Sequence, residues 1–169
     1  MSSTYEIVVV IHVISAIVWV GGVVFIGGVA VPASRKMSEE TGRQAVSAIA
    51  RRFRPVGWGA LGFLVATGFY MIWEWGARPD NLLDGSFFAN DRHWLLGIKL
   101  ILVGLMLVVS GIHDWYVGPR ASALAREADD EETARPWRRW AAILGIVTGL
   151  LVIAIVVIAV YVARPWMVG

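Results

Sequence analysis

The chain has 169 residues, of which 57% are hydrophobic, and its mean hydropathy is +0.66. A soluble domain of this length needs fewer apolar residues for its core, so much of this apolar surface must face lipid. The formal net charge is +2, but the basic residues form no stripe with interleaved aromatic residues, which argues against a nucleic-acid partner. Cysteine is absent, which excludes disulfides, thiolate metal sites, iron–sulfur clusters and covalent c-type haem attachment.

Four apolar segments are long enough to cross a bilayer, which takes about 20 residues each. They cover residues 7–31, 56–73, 93–117 and 140–163. The first segment lacks the basic flank of a secretory signal, so we expect it to be retained as a membrane span. The sequence therefore predicts an all-α membrane protein, with residues 1–169 forming one antiparallel, up-down bundle of four transmembrane helices.

The connections between these helices indicate the orientation of the chain. Of the 15 Lys and Arg residues, six lie between the first and second predicted helices and five between the third and fourth. The positive-inside rule places both of these connections in the cytoplasm. Both termini are then predicted to lie outside, in a multi-pass protein of the cell (cytoplasmic) membrane.

Both connections carry patterns of their own. In the first, apolar residues recur at helical spacing between Val46 and Phe53, opposite arginines, which predicts a short amphipathic helix on the inner membrane surface. Pro55 is expected to separate this helix from the second span. The second connection carries the acidic run "READDEETARP", which is typical of the solvated end of a helical hairpin.

Glycines form two patterns on the predicted helices. One is a seven-residue repeat along the third helix, and the other is a GxxxG motif in the fourth. Small residues let helices, or a flat ligand, approach closely, and the favoured interpretation is helix or dimer packing. We therefore expect a homo-oligomer, most simply a dimer. The residues of the two patterns are Gly97, Gly104, Gly111, Gly118, Gly145 and Gly149.

Two ionisable side chains fall well inside the predicted spans, where an unpaired charge or imidazole is costly. His12 lies about five residues inside the first helix and Lys99 about six inside the third, counted from the outer side. At about 1.5 Å per residue both lie roughly 8–9 Å deep, so they share one level. Trp19 shares a helix face with His12, and Met106 shares one with Lys99. The pair of an imidazole and an amine at one level is typical of a ligand site.

The spacing is equally consistent with an alternative that involves no ligand. Lys99 would then extend its amine outward to Asp91 or Glu74, because a lysine side chain can reach the interface from this depth. His12 would hydrogen-bond a neighbouring carbonyl group.

The other histidines lie at the ends of the third helix. His113 is 14 residues beyond Lys99, about 21 Å deeper, so it is predicted to form a hydrogen bond at the inner surface, with a second ligand site as the alternative. His93 is expected to cap the helix or to touch the polar edge of a cofactor. A copper site favours clustered Met and His, and within the spans only Met71 and Met106 occur, neither spaced with a histidine. No catalytic triad, phosphate loop or carboxylate pair indicates hydrolysis.

Three segments resemble one known family. "IHVISAIVWVGGVVFIGGVAVPA" and "WLLGIKLILVGLMLVVSGIHDWYVGPR" resemble the first and third helices of the CopD/HemJ-like superfamily of four-helix membrane proteins. "RRFRPVGWGALGFLVATGF" resembles the start of its second helix, so the resemblance spans nearly the whole chain. HemJ-type proteins are membrane b-type haem proteins that oxidise protoporphyrinogen, whereas CopD-type proteins are linked to copper uptake.

The resemblance implies a haem b site with a redox role in electron transfer or oxidase-type chemistry, such as protoporphyrinogen oxidation. It places the essential His and Lys of HemJ-type proteins on His12 and Lys99. His12 would be the proximal iron ligand, and Lys99 would be the sixth ligand or a catalytic distal amine. A membrane quinone or an external donor would exchange electrons with the site. The cofactor-binding residues expected on this reading are His12, Lys99, Trp19, Met106, His93, Arg92 and Arg164. The last three form a predicted cationic cluster at the outer surface, which would hold the haem propionates.

Two other functions remain open from the sequence. One is a copper uptake or transport module without haem, in which Lys99 would be a gate or a counter-charge. The other is a purely structural membrane subunit.

Overall fold

The computed structural model describes residues 3–124 and 131–163, apart from the side chains at positions 92, 131 and 134. Over these residues the chain is helical and contains no strand, which confirms the predicted all-α class. The chain divides into two compact units, Met1–Phe87 and Phe88–Gly169, each built on a hairpin of two long helices. The assignment of residues 1–169 to one domain stays a prediction.

The first hairpin pairs α1 with α3. A π-helical turn and the short helix α2 continue α1 toward the connection, and α4 and a 3₁₀ turn follow α3. The elements are α1 (Ser3–Phe25), the π-helical turn Ile26–Ala30, α2 (Val31–Ser34), α3 (Glu39–Glu74), α4 (Pro79–Leu83) and the 3₁₀ turn Ser86–Phe88.

The second hairpin pairs α5 with α7. A second π-helical turn leads from α5 into α6, which precedes the connection to α7. The elements are α5 (Asp91–Ile112), the π-helical turn His113–Val117, α6 (Gly118–Leu124) and α7 (Glu131–Ala163).

Four helical segments of the described chain are long and apolar enough to cross a membrane. They are Ser3–Ser34, Glu39–Glu74, His93–Leu124 and Arg135–Ala163. In the most apolar window of each segment, only 11% to 22% of the residues are buried inside the protein. Such outward-facing apolar surface is stable in lipid and not in water, so the protein is a multi-pass membrane protein.

The first and third spans continue past a proline at which the sequence pattern predicted an end. In a regular α-helix, the ring of Pro32 or Pro119 would clash with the carbonyl group four residues earlier. A π-helical turn precedes each proline and widens the helix by one residue. Val31 donates its N–H to the carbonyl of Ile26, and Gly118 donates to that of His113. The chain thereby passes each proline without leaving the helical path.

The second span also begins earlier than predicted. Instead of a separate surface helix, the amphipathic segment is the first part of α3, which runs through Pro55 without a break. The ring of Phe53 occupies the space where a side chain at Gly22 or Gly57 would lie. This contact holds the residues before Pro55 against α1, so the missing backbone hydrogen bond does not end the helix.

The fourth helix also begins earlier in the structure than the sequence predicted. Pro136 lies inside α7, which begins at Glu131 and not near residue 140. The first five residues of the acidic run, 126–130, lie outside the described residues.

Close contacts join the two helices of the first hairpin at both ends. At the end away from the connection, the indole nitrogen of Trp75 donates a hydrogen bond of 2.9 Å to the Tyr5 hydroxyl. At the connection, a Cβ atom at Gly42 would lie 2.5 Å from the carbonyl oxygen of Ser34, so only glycine fits there. These contacts fix the register of α1 against α3, which positions the polar residues between them.

Several glycines of the second hairpin lie on open helix surface. At Gly104, Gly145 and Gly149, no atom of the described chain lies within 4 Å of the point where a Cβ would be, apart from the local helix backbone. Within the second hairpin, the GxxxG motif is therefore not in close contact with a neighbouring side chain. The predicted dimer stays a prediction.

The orientation of the spans can be tested directly. A reporter that is active only in the cytoplasm, fused after Gly169, should give no signal, because 11 of the 15 basic residues lie in the two connections placed inside. The same reporter inserted after Met37, in the first connection, should be active. A strong signal from the C-terminal fusion would overturn the topology.

Candidate functional site

His12 is the centre of the polar contacts inside the first hairpin. It lies on α1, and its Nδ1 atom is 2.8 Å from the Thr67 hydroxyl oxygen on α3. The imidazole carbon between the two ring nitrogens passes close to Gly68, where an added Cβ would lie 3.7 Å away. The small residue after Thr67 lets the imidazole rest against the α3 backbone. The imidazole is thereby fixed in position.

The hydroxyl of Thr67 determines which nitrogen of His12 carries the proton. This hydroxyl lies 2.5 Å from the Phe63 carbonyl oxygen and 3.3 Å from that of Leu64, so its one hydrogen is donated to the α3 backbone. Toward His12 it can therefore act only as an acceptor. Nδ1 then donates to Thr67, and in the neutral imidazole the lone pair is on Nε2, which is the tautomer that binds a metal through Nε2.

The ligand-free alternative from the sequence paired His12 with a neighbouring carbonyl group, and neither alternative named Thr67. Thr67 could nevertheless have been identified from the sequence. It is a lone hydroxyl in an apolar run, seven residues before Glu74, and in an antiparallel hairpin that position lies level with a residue near the start of α1.

Lys99 is the one basic residue inside the third predicted span. It lies on α5, eight residues after Asp91, and its side chain is half-buried. None of the described residues forms an ion pair or a hydrogen bond with its amine. Within the second hairpin, the structure shows no ion pair between Lys99 and Asp91, and a pair between Lys99 and Glu74 stays a prediction.

Trp19 and Met106 are both buried. Trp19 is 6% exposed on α1, and Met106 is 4% exposed on α5. The Met106 sulfur accepts a hydrogen bond of 3.7 Å from the Ser110 hydroxyl, which is also buried. Their contribution to a cofactor pocket stays a prediction.

The predicted outer cationic cluster is only partly described. His93 lies in the first turn of α5, where its N–H donates 2.8 Å to the Asn90 side-chain oxygen and its Nδ1 lies 3.1 Å from the Asn90 amide nitrogen. The side chain of Arg92 and the whole of Arg164 lie outside the described residues. A role of these three residues in holding propionates stays a prediction.

His113 opens the π-helical turn at the far end of α5. Its Nδ1 lies 2.9 Å from the Asp114 carboxylate, and about a third of each side chain is exposed. This arrangement fits a hydrogen-bonding residue near the membrane surface. Across the described chain, no three His, Cys, Asp or Glu side chains form a group that could hold a metal ion.

Comparison with known proteins identifies the relatives of the chain. The sequence profile of the family described as "Copper resistance protein D" (CopD) matches residues 47–159, two thirds of the chain. An uncharacterized protein of Aquifex aeolicus (strain VF5) is 27% identical over 148 residues, which cover 88% of this chain and 90% of that protein. No solved structure matches the chain at a significant level.

Proposed function

The chain belongs to the copper resistance protein D family. We propose that it is an integral membrane b-type haem protein with a redox role, either electron transfer or oxidase-type chemistry. We place it in the cell membrane, where a quinone or an external donor would exchange electrons with it. Protoporphyrinogen oxidation is the specific oxidase chemistry that the resemblance to HemJ-type proteins implies.

The observation that carries the proposal is the hydrogen bond between His12 and Thr67. An imidazole that binds iron through Nε2 needs an acceptor for its other N–H, which fixes the ring and raises its basicity. Thr67 supplies this acceptor at 2.8 Å, because its own hydrogen is donated to Phe63. In its neutral form, the His12 imidazole would then have the tautomer that ligation of iron through Nε2 requires.

Haem b, when bound, supplies reversible one-electron iron chemistry and a site for oxygen species. The protein's own contribution is ligation by His12, orientation by Thr67, and a lysine amine within a span. Lys99 binds a metal only as the neutral amine, and as the ammonium it would instead attract an anion. Arg92, His93 and Arg164 are the cations that we assign to the propionates.

The rival function is a copper uptake or transport module without haem, and the description of the family names copper resistance. The described residues offer it no group of three His, Cys, Asp or Glu side chains. Haem needs only one or two axial ligands, so a single oriented histidine is sufficient for it.

The absorption spectrum of the purified protein separates the two functions. We expect a Soret band and close to one haem per chain after expression with sufficient haem supply. Copper bound at one equivalent, with no Soret band after haem addition, would contradict the haem proposal and favour the copper function.

A second test concerns Thr67. Thr67→Val keeps the shape of the side chain but leaves the His12 N–H without its acceptor, so haem affinity should fall about tenfold or more. Haem titration of the apoprotein measures this fall. Thr148→Val is the matched control, since Thr148 and Thr67 are each 8% exposed. Equal affinity losses in both variants would mean that Thr67 does not act through His12.

A further inference from the structure

A groove in the second hairpin has no role in the proposed haem function. It lies between the end of α5 and the start of α7, at the end of the hairpin where α6 leads into α7. Its volume is about 470 Å³. Pockets of this size hold small ligands. Its lining is almost wholly apolar and aromatic: Ile112, Tyr116, Val117, Pro136, Trp137, Trp140 and Leu144.

One arginine is held at the rim of this groove by two of its aromatic rings. The Arg120 guanidinium carbon lies 4.0 Å from the centre of the Tyr116 ring and 5.1 Å from that of Trp137. The two rings meet edge to face, with their centres 5.8 Å apart. Stacking of this kind fixes the plane of a guanidinium group and leaves its N–H edge directed away from the rings.

The hydrogen-bond donors of Arg120 distinguish it from a second stacked arginine. Arg78 lies 4.1 Å from the centre of the Trp73 ring, and it donates two hydrogen bonds of 2.7 Å to the carbonyl oxygens of Trp73 and Ala77. Within residues 3–124 and 131–163, no acceptor takes a hydrogen bond from Arg120. Its planar group is therefore positioned to receive an anion with two oxygen atoms, such as a phosphate.

The residues along the groove change from aliphatic to aromatic to cationic, and this order matches the parts of a phospholipid. Ile112 and Leu144 lie furthest from the connection, the aromatic residues follow, and Arg120 lies nearest to it. Acyl chain, glycerol region and phosphate follow one another in the same order from the membrane centre to its surface. Besides the acidic run of the connection, this end of the hairpin carries three further arginines, which flank Trp137 in the first turns of α7. They are Arg135, Arg138 and Arg139.

We propose that this groove binds one anionic phospholipid of the cytoplasmic leaflet, with an acyl chain along the apolar lining and the phosphate on Arg120. Anionic lipids are concentrated in that leaflet, and the positive-inside rule places this end of the hairpin there. The proposal does not rest on haem binding, so it can fail or succeed independently of it.

The test measures lipid preference in nanodiscs. The full-length protein is reconstituted in phosphatidylcholine that contains spin-labelled phosphatidylglycerol or spin-labelled phosphatidylcholine, and the immobilised fraction of each label is compared. The wild type should prefer phosphatidylglycerol, and Arg120→Gln should lower this preference about fivefold. Arg139→Gln removes the same charge from the same end of the hairpin without touching the stack, so it should change the preference by less than about twofold.

A second variant keeps Arg120 and blocks the groove. Leu144→Trp should remove the immobilised phosphatidylglycerol component while helicity and solution behaviour stay those of the wild type. An unchanged preference in Arg120→Gln, or equal losses in the two arginine variants, would overturn the proposal. A wild type without any preference would also overturn it, and this is the result expected if the acidic run of the connection occupies Arg120. The proposal fails as well if the groove holds a quinone or a second copy of the chain in place of phospholipid.

Discussion

Replacing His12 by alanine should abolish haem binding, lowering the haem content of the purified protein at least about tenfold. His12 combines a position inside a membrane span with a hydrogen bond of 2.8 Å to Thr67 that orients its ring. Removing the imidazole removes the iron ligand itself, whereas a change at Thr67 only weakens it. The pyridine haemochrome assay measures the haem content per chain.

The matched control is His113→Ala, which should keep most of the haem. His113 lies near the end of the third span, where its Nδ1 atom bonds the Asp114 carboxylate. Both variants lose one histidine from a long apolar helix, so a general loss of stability would affect them alike. Equal haem loss in the two variants would mean that His12 is not the specific ligand.

The four membrane spans could be predicted from the sequence because hydropathy is a local property. Every stretch of about 20 apolar residues must satisfy its backbone hydrogen bonds internally, and a helix is the simplest way to do so. The ends of the helices could not be predicted in this way. The π-helical turns before Pro32 and Pro119, and the packing of Phe53 on Gly22, depend on contacts that a one-dimensional pattern does not contain.

The candidate site was predictable to a similar extent. His12 and Lys99 are conspicuous because ionisable residues are rare within spans. The contact of Thr67 with His12 was missed, since threonine is unremarkable in an apolar helix and the contact forms only when α1 and α3 are paired. The groove beside Arg120 was missed for a similar reason. Its lining comes from two helices whose sequences each resemble an ordinary aromatic interface.

Replacing Lys99 by methionine should keep the haem and change its spectrum. Methionine preserves most of the length and bulk of the lysine stem but removes the amine. If the amine ligates the iron or lies close to it, the spin state or the affinity for an external ligand such as carbon monoxide or cyanide should change, while His12 retains the haem. Absorption and electron paramagnetic resonance spectra of the ferric protein, together with ligand titrations, measure the change.

The control for this variant is Lys99→Arg, which keeps a positive charge that cannot be removed and that cannot ligate iron. If Lys99 acts as a neutral ligand, Arg and Met should give similar spectra that both differ from the wild type. If Lys99 acts as a distal cation, Arg should stay close to the wild type and Met should not. Within the described chain no residue pairs with the Lys99 amine, so neither change breaks an ion pair there. Unchanged spectra and ligand affinities in Lys99→Met would show that the amine lies away from the iron, and the assignment of Lys99 to the site would be wrong.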